Sequence, residues 1–159
     1  MTEQELRQKV DIIEKNPSLI VQAVAGLDAR TLRYQPAPGK WCILEILGHL
    51  ADVEVLYGYR MRQMMADKEP AIAPIDQDDW ARNLGYLEGT PAEFLAAYQA
   101  ARRANLRLLR RLKPADLERG ALHPEKGRKV TLGELLGMMA GHEPNHAAQI
   151  ERIKQQAGS

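Results

Sequence analysis

Apolar residues recur along this chain at the spacing of α-helices, and this pattern most restricts the folds that the chain can adopt. Leu6, Val10 and Ile13 stand three or four positions apart, and the apolar residues of three later segments do the same. Two of these segments open with the capping boxes Thr90-Pro91-Ala92-Glu93 and Thr131-Leu132-Gly133-Glu134, which are typical of helix N-termini. We find no alternation typical of strands. The pattern predicts an all-α fold, a four-helix bundle with long connecting loops and short extra helices.

Turn residues set the expected limits of these helices. The first helix breaks at Asn16-Pro17, where Asn16 is expected to cap a new turn and Pro17 suits its first position. We expect all 159 residues to form a single domain. The other predicted segments are a second helix over about 42–66, a long loop over 67–79, a short helix over 79–87, a third helix from 91 to about 112, an irregular segment over 116–129 and a last helix from 131.

The charge balance of the chain restricts its function. Lys and Arg number 22 against 21 Asp and Glu, which argues against a nucleic-acid-binding surface. The basic run from Arg102 to Arg111 is interleaved with leucines, and we interpret it as a solvated helix face. The single cysteine, Cys42, fits a reducing compartment and a packing role. Without a signal-peptide pattern or an apolar run of membrane-spanning length, we expect a cytoplasmic protein that binds neither nucleic acid nor membrane.

Three of the four histidines lie on apolar helical stripes. His142 and His146 are four positions apart and share one helix face, while His49 lies on the inward stripe of the second helix. Buried imidazoles are costly without a partner, and one divalent metal would satisfy all three while leaving coordination positions open. The sequence therefore predicts a metal site formed by His49, His142 and His146. His123 lies in a charged loop and is predicted to be exposed and unrelated.

Two carboxylates are candidate catalytic or ligand-orienting groups. Asp52 stands one helical step from His49, and Glu143 follows His142. A solvated surface acid is an equally supported interpretation of each. His142-Glu143-Pro144-Asn145-His146 also matches the H-E-x-x-H metalloprotease motif, in which the Glu is the general base. That class takes its third ligand downstream, whereas the candidate here, His49, lies upstream. Pro144 is expected to kink the helix, which would either splay the two imidazoles or re-aim them.

The residues from Pro36 to Glu54, with Gly39-Lys40-Trp41 leading into the helix of His49, resemble the signature of the DinB-like superfamily. The C-terminal His-x-x-x-His, followed by Gln149-Ile150-Glu151-Arg152, is similar to the last helix of that family. The resemblance runs to about Ile153. It implies a four-helix bundle, often dimeric, with a three-histidine divalent-metal site, and the ligand roles carry over to His49, His142 and His146.

The resemblance also implies a function, because characterised relatives include transferases and isomerases that use low-molecular-weight thiols. Our hypothesis is a divalent-metal-dependent enzyme with a small-molecule substrate, with zinc or nickel as the metal and a low-molecular-weight thiol as a further cofactor. We expect a thiol S-transferase or a hydrolase using metal-bound water, with Asp52 or Glu143 as acid or base. A non-catalytic stress-related or small-ligand-binding bundle is the alternative. We also expect a homodimer.

Overall fold

The computed structural model describes residues 1–158 and is mostly helical, which confirms the all-α prediction. The broken N-terminal helix and three long helices make up the bundle. The α-helices of the described region are α1 (Glu3–Lys15), α2 (Pro17–Val24), α3 (Ala29–Leu32), α4 (Ile43–Ala66), α5 (Gln77–Asn83), α6 (Pro91–Leu109) and α7 (Leu132–Ala157). Short 3-10 turns occur at Tyr86–Glu88, Pro114–Glu118 and Pro124–Lys126.

A two-stranded antiparallel sheet departs from the prediction of an irregular segment. Strand β1 (Gly120–His123) pairs with β2 (Arg128–Thr131), and an isolated bridge from Ala71 to Leu122 fastens the loop before α5 to β1. The inward residues Ala121 and Val130 are buried. With four residues in each strand, the alternation is too short to stand out in the sequence, and the pairing depends on contacts with the bundle.

The predicted caps position the long helices. Thr90 and Thr131 form capping boxes at the starts of α6 and α7. At the start of α4, the backbone N–H of Cys42 donates to the Glu45 carboxylate at 2.8 Å. The Cys42 side chain is buried, and this burial raises the pKa of its thiol. These features agree with a packing role for Cys42.

The four long components form a ring in which α4 packs beside α6 and α7, and α1–α2 packs beside the same two helices. Helices α6 and α7 therefore face each other across the bundle. The buried apolar residues form two clusters, one around Leu6 and Ile13, the other around Ile20 and Ile150. Among the described residues, no helix has both the length and the hydrophobicity needed to cross a membrane.

A buried polar network lies between the two apolar clusters. Arg102 on α6 is only 1% exposed, so the interpretation of the basic run as a solvated face is wrong at this position, although the adjacent Arg103 is exposed. The Arg102 guanidinium donates to the Ile13 carbonyl on α1, to both carboxylate oxygens of Glu54 on α4 and to Glu143 on α7. One side chain thus links all four components of the bundle.

Candidate metal centre

Three imidazoles from two helices converge between α4 and α7. The Nε2 atom of His49 lies 3.1 Å from Nε2 of His142, which lies 3.2 Å from Nε2 of His146. Each residue offers a ligand atom, and all three such atoms lie within 4.8 Å of one another. His49 is 3% exposed, whereas His142 and His146 are half-buried. The cluster is therefore closed at His49 and accessible to solvent along α7.

These separations fit a shared divalent ion. Metal–imidazole bonds are about 2.0–2.1 Å long, so two nitrogens on one ion stand about 3.0 Å apart at a right angle and about 3.4 Å apart at the tetrahedral angle. The separations of His142 Nε2 from the other two Nε2 atoms, 3.1 and 3.2 Å, fall within that interval. Imidazole is a donor that suits zinc and nickel among other transition metals. The residues present therefore fit the metal that the sequence predicts.

Burial keeps the three rings neutral. Desolvation, reinforced by the neighbouring histidines, lowers the pKa of His49 to about 3. Desolvation, together with His146 and Arg102, lowers the pKa of His142 to about 3. Desolvation also lowers the pKa of His146, against the opposing effects of the Gln149 hydrogen bond and the Glu143 charge. Neutral imidazoles keep a lone pair available, so no proton has to leave these rings before a metal binds at neutral pH.

Neighbouring side chains orient the imidazoles. The Nδ1 atom of His146 lies 3.0 Å from Oε1 of Gln149. An amide oxygen only accepts, so Nδ1 carries the proton and Nε2 presents its lone pair to the cluster. The Trp41 ring lies 4.9 Å from the His49 ring, and the Tyr57 ring meets His142 edge-on at 5.6 Å, both between centroids. Such contacts hold candidate ligands in place before any metal arrives.

Pro144 does not separate the paired histidines. Helix α7 continues from Leu132 to Ala157 through this proline. Proline lacks the N–H that would bond to the carbonyl of Ala140, and the Nδ2 group of Asn16 donates to that carbonyl instead, at 2.9 Å. This replacement donor comes from the α1–α2 junction. Asn16 occupies the N-cap position of α2 with Pro17 as the first helical residue, as predicted, although the Asn16 side chain makes no capping hydrogen bond.

Glu143 points into the bundle interior. It is fully buried, so the interpretation of a solvated acid is wrong. One carboxylate oxygen accepts from Tyr98 at 2.8 Å and from Arg102, and the other accepts from Asn16 at 3.2 Å. The structure thus places Glu143 in the buried network and gives it no hydrogen bond to the three imidazoles. Its catalytic role stays a prediction.

Asp52 lies half-buried on α4, one turn after His49. The Tyr86 hydroxyl donates to Oδ2 of Asp52 at 2.7 Å, which fixes the carboxylate. Asp52 also borders a cavity of about 320 Å³ whose other lining residues are mostly apolar: Val55, Leu56, Tyr59, Trp80 and Leu84. The structure therefore places this carboxylate at the edge of a cavity beside the helix that carries His49.

Sequence reasoning missed Glu54 and Arg102. A helical projection contains a signal for each: Glu54 stands four residues after Leu50 on a buried stripe of α4, and Arg102 stands four residues after Tyr98 and four before Leu106 on α6. A charged residue on an otherwise buried stripe predicts a paired interior charge. His123, predicted to be exposed, is half-buried in β1 and lies outside the histidine cluster.

The fold and the site define a class: helical-bundle proteins with a three-histidine candidate metal centre between two helices. The family model described as the DinB superfamily matches residues 12–150. This chain belongs to the DinB superfamily. The family membership confirms the resemblance carried by the Gly39-Lys40-Trp41 segment and the C-terminal histidine pair.

Individual relatives support this assignment. The chain is 30% identical over 149 residues to an Oceanobacillus iheyensis protein, covering 93% of this chain and 85% of that one. It is 27% identical over 149 residues to YfiT of Bacillus subtilis, covering 94% and 84%. Both carry the name "Putative metal-dependent hydrolase". The solved structure of YfiT superposes with a TM-score of 0.91 at 25% identity, covering 99% of this chain and 90% of YfiT.

A more distant structure shares the fold. The mycothiol-dependent maleylpyruvate isomerase superposes with a TM-score of 0.70 at 16% identity. The match covers 94% of this chain and 63% of that protein. The helical arrangement of this chain thus also occurs within a larger enzyme.

Proposed function

We propose that this chain is an enzyme that holds one divalent ion, zinc or nickel, through His49, His142 and His146 and uses it to activate a nucleophile against a small electrophile. The observation that carries this proposal is the convergence of three neutral imidazoles at metal-site separations, 3.1 and 3.2 Å between neighbouring Nε2 atoms. A bound divalent ion supplies Lewis acidity that lowers the pKa of a thiol or a water, so a nucleophile exists at neutral pH.

The surrounding residues support such a reaction. Gln149 and Trp41 orient the imidazoles of His146 and His49, so the site needs little rearrangement to act. Asp52, held by the Tyr86 hydroxyl one helical turn after His49, is the carboxylate that takes or returns a proton in this proposal. The apolar cavity beside Asp52, about 320 Å³ in volume, suits the apolar part of a small substrate.

Transfer of a low-molecular-weight thiol is the first candidate reaction, and hydrolysis is the second. The half-buried His142 and His146 leave an accessible side for an external ligand. The Cys42 thiol is buried, and this burial raises its pKa, so Cys42 is neither accessible nor readily ionised. A sulfur nucleophile must therefore come from a separate thiol. The names of the two relatives that are 30% and 27% identical favour the hydrolase.

The metal site is tested first. The chain is purified without added metal, and its zinc and nickel contents are measured by elemental analysis. We expect about one ion per chain, and loss of that ion in His49→Ala. His123→Ala is the matched control, because His123 lies outside the cluster, and this variant should retain the ion. Equal metal content in both variants would show that the three-histidine site is wrong.

The reaction is tested with cobalt-substituted protein. Direct sulfur ligation changes the absorption spectrum of cobalt when small thiols are added, and conjugation to a panel of electrophiles is then assayed beside hydrolysis of a panel of esters and amides. Thiol ligation with conjugation that is lost in His142→Ala supports the transferase. Hydrolysis without thiol ligation supports the hydrolase. Ligand binding without turnover on either panel would refute the proposal of an enzyme and support the alternative, a non-catalytic ligand-binding bundle.

A further inference from the structure

A small cavity beside the candidate metal centre is lined by two cations. Its volume is about 160 Å³, and its lining includes Lys40, from the loop before α4, and Arg152, on α7. Among the residues that the structure describes, no Asp or Glu lines it. Each of the two side chains contributes one positive charge, so the lining of this cavity, which we call the Lys40–Arg152 cavity, carries a formal charge of +2.

Neither cation has a partner of opposite charge. Within residues 1–158, the side chains of Lys40 and Arg152 make no ion pair and no hydrogen bond. The nearby Lys154 on α7, by contrast, pairs with Glu151 at 2.7 Å. Two like charges around one concave surface focus a positive potential into it and raise the local concentration of anions. The cavity therefore favours a negatively charged group.

Two other lining residues of the Lys40–Arg152 cavity contact the candidate metal ligands. The Trp41 ring lies 4.9 Å from the His49 ring between centroids, and Oε1 of Gln149 lies 3.0 Å from Nδ1 of His146. Because the amide oxygen of Gln149 accepts from His146, the NH2 group of the same amide is the donor left for another ligand. A single side chain thus separates the cavity from two of the three imidazoles.

The cavity also lies on the accessible side of the histidine cluster. His142 and His146 are half-buried, and the cluster opens to solvent along α7. After His146, the residues Gln149, Ile153 and Gln156 follow at spacings of three or four on one face of α7, and these three line the cavity. A ligand that lies along this face of α7 can therefore place one end at the imidazoles and the other between the two cations.

A larger cavity shares Lys40 and Trp41 but has the opposite charge balance. Its volume is about 480 Å³, and Arg82 is its second cation. Its lining also includes three carboxylates, those of Glu45, Asp78 and Glu88. Three negative charges against two positive ones leave this lining with a formal charge of −1. An anion is therefore favoured in the smaller Lys40–Arg152 cavity and not in the larger one.

We propose that the Lys40–Arg152 cavity binds an anionic oxygen group, a carboxylate or a phosphate, at one end of the small molecule whose other end reaches the metal centre. The planar guanidinium of Arg152 matches both groups in geometry, and Lys40 adds a second charge. The volume of about 160 Å³ lies below the roughly 300–1,000 Å³ of pockets that enclose a whole small ligand, so the cavity takes one group of that ligand. The inference rests on the proposed metal-dependent function and adds an anionic group to its substrate.

The test measures, by calorimetry, how tightly the zinc-loaded full chain binds a series of hydroxamates. The hydroxamate end chelates a metal ion whichever reaction the ion supports. The other end is a tail of increasing length that terminates in a carboxylate, a phosphate or a neutral carboxamide. At the best length, an anionic tail should bind about fivefold more tightly than the carboxamide, because it gains two partly exposed ion pairs. This advantage should shrink as salt is added.

Variants assign the advantage to the two cations. Arg152→Gln and Lys40→Gln should each remove most of the preference for the anionic tail and leave the affinity for the carboxamide within about twofold. Arg152→Lys keeps the charge and should retain part of the preference. The matched control is Arg103→Gln, which makes the same change at an exposed position of α6 outside the cavity and should keep the full preference. A purely structural role for Arg152 would weaken the binding of both tails alike.

A second measurement needs no metal. The indole N–H signal of Trp41 is followed by NMR in the metal-free chain, and Trp80→Phe distinguishes it from the signal of the other tryptophan. Titration with succinate or inorganic phosphate should shift this signal saturably, because Trp41 lines the cavity. Neutral succinamide should not shift it. In Arg152→Gln, the anions should bind about fivefold more weakly.

The outcomes are distinct. An anionic preference that is lost in Arg152→Gln supports the cavity, and the better of the two anionic tails identifies the group as carboxylate or phosphate. Equal binding of charged and neutral tails, or a preference unchanged in Arg152→Gln and Lys40→Gln, overturns the inference while leaving the metal site intact. A parent chain that binds no zinc refutes the proposed function. In that case, the Trp41 titration decides the anion site: a saturable shift lost in Arg152→Gln supports it, and the absence of a shift overturns it.

Discussion

Replacing Arg102 by methionine tests the buried network directly. The substitution keeps much of the apolar stem but removes the donors to Glu54, Glu143 and the Ile13 carbonyl. Removing one partner of a buried ion pair costs about 3–5 kcal/mol, because the remaining charge stays desolvated. Such a loss is a large part of the roughly 5–15 kcal/mol that stabilises a typical domain. For a chain of this length it lowers Tm by about 6–20 °C.

Arg103→Met is the matched control for this experiment. It makes the same change at the next position of α6, where the side chain is exposed, and should alter stability by no more than about 0.5 kcal/mol. Both variants are unfolded with urea at pH 7 in the presence of a chelator, and the midpoints are compared at equal m-values. If Arg102→Met loses less than about 1 kcal/mol, or no more than Arg103→Met, the account of the buried network is refuted.

Two further predictions follow from the structure, and a third follows from the family resemblance. Asn16→Ala should lower the free energy of unfolding in urea by about 2 kcal/mol, because the Ala140 carbonyl and Glu143 each lose a donor. Adding Pro144→Ala, which supplies the missing backbone N–H, should recover part of that loss. Strictly additive effects of the two substitutions on the free energy of unfolding would refute this account. Below pH 6.5, the free energy of unfolding of the metal-free protein should fall by about 1.4 kcal/mol per pH unit for each histidine whose pKa is lowered. In the unfolded chain these imidazoles bind protons in that range, whereas in the folded protein His49 and His142 remain neutral until about pH 3. A free energy of unfolding that stays constant from pH 6.5 to 5 would contradict this prediction. Sedimentation at micromolar protein should show a homodimer, twice the 17.8 kDa chain mass, and a single species of one chain mass would contradict that proposal.

Local interactions made much of the fold predictable. The capping threonines bond within their own first helical turn, so the starts of α6 and α7 could be derived from four-residue motifs. The facing of His142 and His146 follows from the helical repeat alone. His49 could be joined to the other two because it lies on the inward apolar stripe of the second helix, and the resemblance to the DinB-like superfamily implies the same ligand. The short strands β1 and β2 escaped prediction because their pairing depends on contacts from outside the segment.

The burial of two adjacent arginines on α6 could not be predicted from local sequence patterns. Arg102 and Arg103 are chemically identical neighbours on one helix, yet one is buried against Glu54 and the other is exposed. Their difference depends on how α6 is rotated about its axis, which is set by packing against the other helices.

The effect of Pro144 on α7 at the candidate site likewise could not be predicted from local sequence. The sequence by itself determined that Pro144 removes a backbone donor between the paired histidines. Only the tertiary structure decided the consequence, because the replacement donor on Asn16 lies 124 positions along the chain from the Ala140 carbonyl that it satisfies. Helical periodicity assigns residues to faces through interactions within a few positions. Meeting a partner across the bundle depends on the relative register of separate helices, which is set by the packing of the whole core.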